Sequence, residues 1–302
     1  SPRLSLGLAA LLLILFAWLS PQQSSHIENL SIQYQQQLLE LEWPLYPTHI
    51  LQHQQVDTLN QLQLAYEHKD NALLMQQMGF DRAFVQNIQS MGNNYFEPEQ
   101  LSQWQTARQE FDTQRDQLIS QVLGLDPQRF RPITYFSYAF FETSLYSVLA
   151  AALLLLLVGM VIEWSMGSGA LLSAWLVGSV VTGITFHITH LYSVVPLLEN
   201  TGAISAVLGI AFLHFKKNQS LTITGTKHQL SGWLFLALFC LIAGINFSVD
   251  HFLDVGLLVA YSLSFVSGMI VCVVYHRWFT NQTEDNKLDI ILDEEPINNA
   301  LY

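Results

Sequence analysis

From Ser144 to Tyr275 the chain falls into five apolar runs, 144–162, 170–186, 202–215, 232–247 and 255–275, joined by short polar connections. Such a pattern has few structural solutions. A backbone in hydrocarbon must satisfy its own N–H and C=O groups, so each run reads as a helix. Short connections make successive helices neighbours. A sixth run, Leu4–Leu19, stands near the start, behind Arg3. Together the runs predict an all-α polytopic membrane protein, a six-helix bundle in contact with lipid. Composition agrees: 51% of residues are hydrophobic and 12% charged. A net charge of -12, with no dense basic cluster beyond Lys216-Lys217, excludes nucleic acid as a partner.

The runs are unequal. A helix needs about 20 residues to cross a bilayer alone, and 202–215 is shorter. It opens on Gly202 and carries Ser205, so longer neighbours must wall it in. Leu4–Leu19 has the length of a signal-peptide core or a short membrane helix. It ends Ala17-Trp18-Leu19-Ser20, a poor cleavage site, so residues 1–20 read as a retained signal anchor.

Residues 21–131 form a separate region, rich in Gln and poor in Gly. Helical spacing recurs through Ile32, Leu38, Leu39, Leu59, Leu62, Leu64 and Ala65. Pro44, Pro47, Gly79 and Gly92-Asn93-Asn94 punctuate it. A small extramembrane domain of four or five helices is expected, with partner docking as its functional reading. Residues 132–278 hold the remaining spans, and the acidic segment 279–302 reads as a disordered tail.

Lysines set the expected orientation. Lys216, Lys217 and Lys227 lie between the fourth and fifth runs, while 187–201 and 248–254 carry no Lys or Arg. The positive-inside rule then places that loop and both termini in the cytoplasm. Residues 21–131 would face the periplasm or extracellular space of a multi-pass cell (inner) membrane protein.

Three features inside the runs stand out. Gly159, Glu163 and Gly167 are spaced by four, letting helices approach closely around a carboxylate that needs a buried donor or the membrane edge. Gly202 and Gly209, with Ala203 and Ala206, form a packing surface expected to meet Gly256, Ser262, Ser264 and Gly268 of the sixth run. Asp250, His251 and Asp254 stand at the mouth of that run. His187 and His190 lack a carboxylate within sequence reach, so no metal site and no cofactor is expected. Cys240 and Cys272 read as small buried hydrophobes.

Residues 131–278 resemble the rhomboid family of intramembrane serine proteases. The resemblance rests on the lead-in Arg131-Pro132-Ile133-Thr134-Tyr135, the Gly159/Glu163/Gly167 spacing, the string Gly202-Ala203-Ile204-Ser205-Ala206-Val207-Leu208-Gly209 and the stretch Asp250–Gly256. It implies an expanded first extramembrane loop. It also implies a nucleophilic serine on the fourth span, a histidine base on the sixth and oxyanion donors, a His and an Asn, on the second. This chain departs from that set. Aligned on its glycines, Ile204 takes the nucleophile position and Asp254 the base position; Ala151 takes that of the asparagine, and Ser147 and Glu142 those of histidines. Between Arg131 and Glu163 there is no His or Asn in any register.

The resemblance therefore implies a pseudoprotease that binds transmembrane segments or a partner membrane protein beside its second and fifth spans, without cutting. One alternative is a divergent serine protease using Ser205 and His251, since a serine hydroxyl is a weak nucleophile without a base in reach. A second is a structural subunit of a membrane complex, docking through 21–131.

Overall fold

A computed structural model describes residues 2–52, 56–191, 193–216, 220–223, 226–249 and 254–293. The architecture is helical, and among the described residues four helices are long and apolar enough to cross a membrane: Arg3–Gln37, Leu145–Ser165, Ser168–Thr189 and Val255–Trp278. Two further apolar helices, Thr201–Lys216 and Gly232–Ile245, are shorter. The outward-facing surface is that of a membrane-embedded protein. Leu145, Leu149, Leu153 and Leu157 repeat at one-turn spacing, and all are exposed.

Helix α1 (Arg3–Gln37) is one continuous element that includes Pro21. Its 35 residues span about 52 Å, well beyond the roughly 30 Å of a hydrocarbon core. Residues 1–20 and the start of the region 21–131 thus share one helix. The two halves differ in what they bury. Leu6, Ile14 and Trp18 are exposed, whereas Leu30 and Tyr34 are buried, followed by Leu38 just past the helix end.

The chain divides into two compact units, one of residues 9–152 and 183–200, the other of residues 1–8, 153–182 and 201–302. Residues 9–20 and 132–152 fall in the same unit as the region 21–131.

Within the first unit, short helices follow α1: α2 (Leu39–Glu42), α3 (Tyr46–Gln52), α4 (Val56–Glu67) and α5 (Asn71–Leu74). After the wide π-type turn Met75–Gly79 come α6 (Arg82–Met91), α7 (Pro98–Arg115), α8 (Ile119–Leu123) and α9 (Thr134–Ser137). Asp70 and Asp81 cap α5 and α6 by accepting the N–H groups of Leu73 and Phe84. The core gathers Tyr34, Leu38, Ile50, Leu62, Met78, Phe84, Trp104 and Phe111. At its centre Glu42 is fully buried. Its carboxylate accepts from Tyr34 OH at 2.7 Å, Trp104 Nε1 at 2.9 Å and Arg108 Nη1 at 3.2 Å. Arg108 and Arg115 both donate to the carbonyl of Gly79, which closes the π-type turn. A buried charge persists where its lone pairs are met in this way.

α10 (Leu145–Leu154) passes through a second π-type turn, Leu155–Gly159, into α11 (Met160–Ser165), and α12 (Ser168–Thr189) follows. The second unit is built on α13 (Thr201–Lys216), α14 (Gly232–Val249) and α15 (Val255–Asp293). Between α13 and α14 a hairpin pairs β1 (Ser220–Ile223) with β2 (Thr226–Gln229), antiparallel, Ser220 opposite Gln229. The lysine connector is thus partly strand, which the sequence reading did not anticipate. The acidic segment expected to be disordered continues α15 as helix to Asp293. Residues 279–293 contain no Gly or Pro, so nothing in them stops the helix. Residues 294–302 of that segment lie outside the described residues.

Candidate functional site

α13 is enclosed along most of its length: every residue from Gly202 to Phe212 is buried. Glycine and alanine make this possible. A Cβ at Gly209 would strike the carbonyl of Phe265, and one at Gly268 the carbonyl of Ala206. A Cβ at Gly178 would come within 2.5 Å of Ala206 Cβ, and one at Gly202 would strike Thr182. α13 and α15 therefore touch backbone to backbone, and Gly178 of α12 lets that helix close on Ala206 and on the Gly202 carbonyl. Ser264 fastens the seam, its hydroxyl donating to the Gly202 carbonyl at 2.6 Å and standing 3.2 Å from that of Gly178. Of the sixth-run residues named in the sequence reading, Ser264 and Gly268 line this contact. Ser262 is exposed and donates to Leu258 of its own helix.

Ser205 lies in the seam, 1% exposed. Its hydroxyl donates to the Thr201 carbonyl one turn back, at 2.7 Å. This is a local side-chain-to-backbone bond, common for helical serines, and it points the oxygen along its own helix. Ile204 is buried beside it. Asp254 serves as N-cap of α15, its carboxylate accepting the Leu257 N–H at 2.9 Å. Gly256 falls in the first turn of that helix. Asp250 and His251 lie outside the described residues.

In the other unit Ala151 is buried, and Ser147 bonds Ser144, hydroxyl to hydroxyl, at 2.7 Å. The His187 ring lies against Tyr135, while His190 stacks on Phe186 and meets the Thr189 hydroxyl at 2.7 Å. The two rings thus pack on different aromatic partners.

Glu163 collects four donors. Its oxygens accept from Leu4 N at 2.9 Å, Ser5 N at 3.0 Å, Ser5 Oγ at 2.8 Å and Ser168 Oγ at 2.6 Å. The first two are free N–H groups of the first turn of α1, so this carboxylate caps a helix distant in sequence. Gly159, one turn earlier, leaves room for Ser5, whose Cβ would be 3.1 Å from a Cβ there. Gly167 holds the left-handed φ of +94° that turns α11 into α12.

Three features were not read from the sequence. In the unit of 9–152 and 183–200, a cavity of about 320 Å³ is lined by Leu15, Leu19, Gln23, Ser120, Glu142 and Pro196, among others. Glu142 accepts the Asn200 N–H at 2.9 Å there. Burial pushes its carboxyl up to about 8; the Asn200 N–H opposes the shift and Glu199 adds to it. In the other unit an apolar groove of about 680 Å³ runs along α12 and α15, past Ser173, Val177, Val181, Ile270 and Val274. Also there, His214 of α13 meets Cys272 and His276 of α15. The spacing Cys272-x-x-x-His276 is visible in the sequence, but its partner 58 residues upstream of Cys272 is not.

No family model matches the chain, and no curated protein matches it.

Proposed function

We propose that this chain is a rhomboid-like pseudoprotease: a membrane bundle that binds transmembrane segments of a partner membrane protein without cleaving them. The observation that carries the reading is the Ser205 hydroxyl, buried and committed to the Thr201 carbonyl. A nucleophile must instead present its oxygen to a base and to substrate. Asp254, at the position aligned with the base, caps α15. The segment aligned with the oxyanion donors offers neither His nor Asn. What remains is a surface for helices. The apolar groove along α12 and α15 is the place we assign to a bound transmembrane segment, in place of the gap beside the second and fifth runs. In this reading the chain has six spans, its lysine connector lies on the cytoplasmic side, and the helical region after α1 projects from the opposite face.

A fluorophosphonate probe and a single-span reporter test the chemistry. Purified protein should label no more than a heat-denatured control and leave the reporter intact. Labelling that disappears in Ser205→Ala would overturn the reading and favour the protease. The binding half is tested with a fluorescent single-span peptide in proteoliposomes. Energy transfer to a dye placed on α15 is expected, and its absence would sink the groove assignment.

A further inference from the structure

α13 and α15 run parallel in one register. Gly202 meets Ser264, Ala206 meets Gly268 and His214 meets His276, each pair separated by the same 62 residues. The glycine contacts hold the helices at backbone distance, so short side chains from both reach a common point. At the Lys216 end of α13 that point is formed by His214, Cys272 and His276. Cys272 and His276 are one turn apart and share a face of α15. The ligand atoms of the three residues all lie within 4.8 Å of one another. His214 Nδ1 and His276 Nε2 are 3.1 Å apart. Their rings are nearly parallel, at 9°, with centroids 5.3 Å apart. The Phe215 ring packs edge-on against His214 at 4.7 Å. His214 and Cys272 are buried.

We propose that these three residues form a binding site for a divalent transition metal, zinc(II) above all. Two imidazole nitrogens and one sulfur make a borderline-soft donor set, which suits zinc and not magnesium or calcium. Tetrahedral coordination with bonds of about 2.0–2.3 Å sets donor atoms roughly 3.3–3.8 Å apart. The histidine pair needs to open by a few tenths of an ångström, and the widest separation to close by about 1 Å. Side-chain torsions supply both movements. On binding, the Cys272 thiol releases its proton to water and both imidazoles coordinate in the neutral form, so the contact between the rings is replaced by two metal–nitrogen bonds. Three protein donors leave a fourth position for water. The site lies near the end of the apolar span at Trp278, with His276 next in sequence to Arg277 and His214 two residues before Lys216. Once there, the ion bonds α13 to α15 eight residues beyond the Ala206–Gly268 contact.

The full chain, purified in detergent and stripped with a chelator, tests the site by cobalt(II) spectroscopy and zinc content. The wild type should show a thiolate-to-cobalt charge-transfer band that zinc displaces, at about one ion per chain. Cys240→Ser leaves Cys272 as the only thiol and should keep the band, while Cys272→Ser should lose it. His276→Ala should weaken zinc binding at least about tenfold. Zinc should also raise the melting temperature of Cys240→Ser but not of Cys272→Ser. No cobalt band in the wild type overturns the proposal. So does a band that survives in Cys272→Ser, or equal zinc content in wild type and a Cys272→Ser/His276→Ala double variant.

Discussion

At the scale of single residues, the carboxylates divide by what surrounds them. Glu42 meets Arg108, Trp104 and Tyr34 in a fully buried cluster. Removing one partner strands the other charge, so Arg108→Ala should cost about 3–5 kcal/mol, read as a fall in melting temperature of the purified chain. Glu142 lies in a cavity with one N–H donor and no cation in its shift, and its pKa rises to about 8. A carboxyl whose folded pKa lies above its unfolded value of about 4.5 binds a proton in the folded state that the unfolded state has released. Its contribution to stability is thus fully present below about 4.5 and is lost as pH rises through about 8. Melting curves should show the wild type losing stability across that window, and Glu142→Gln should flatten the decline. A parallel decline in both would remove Glu142 as its cause. Ser205 was legible as a small residue in a helix seam; the direction of its hydroxyl was not, because two rotamers of one serine look alike in sequence.

At the scale of elements, helix ends and helix seams dominate. Glu163 satisfies the first turn of α1 through two backbone N–H groups. Glu163→Gln would present an amide donor to those donors and should destabilise by about 1–3 kcal/mol, measured by thermal unfolding in detergent. Asp254→Ala removes the N-cap of α15 and should cost about 1 kcal/mol in the same assay. The seam is less forgiving. At Gly209 and Gly268 an added side chain meets the backbone of the facing helix, which cannot rotate away. Gly268→Val should cost about 3 kcal/mol or more. It should also abolish cobalt binding if α13 and α15 separate. The glycine spacing marked both helices as tightly packed. It did not say that they run parallel in a single register.

For the whole molecule, the expectation is integral membrane behaviour. The chain should stay in the membrane pellet after alkaline carbonate extraction, because four of its helices carry apolar windows long enough to span. Recovery in the supernatant would contradict that. Orientation is a separate question. Cysteines introduced at Gln37 and Lys227 should react with an impermeant maleimide from opposite sides of sealed vesicles; labelling from one side would refute the proposed topology. α1 shows why helix length was hard to read from hydropathy. Hydropathy falls after Leu19, yet the helix persists to Gln37, since helix propensity and burial of Leu30 and Tyr34 sustain it where apolar character does not.

The sequence by itself determined the class of protein, a helical chain made for lipid, because apolar runs of span length admit no other backbone solution. It also determined that the segment from Arg131 to Glu163 holds neither His nor Asn, which no fold can change. It did not decide which faces meet. Spacing along one helix assigns residues to a face, but the partner of that face is set by packing among elements far apart in the chain. Tertiary structure alone therefore joined Glu163 to the start of α1, closed Glu42 inside a ring of donors and brought His214 to Cys272 and His276.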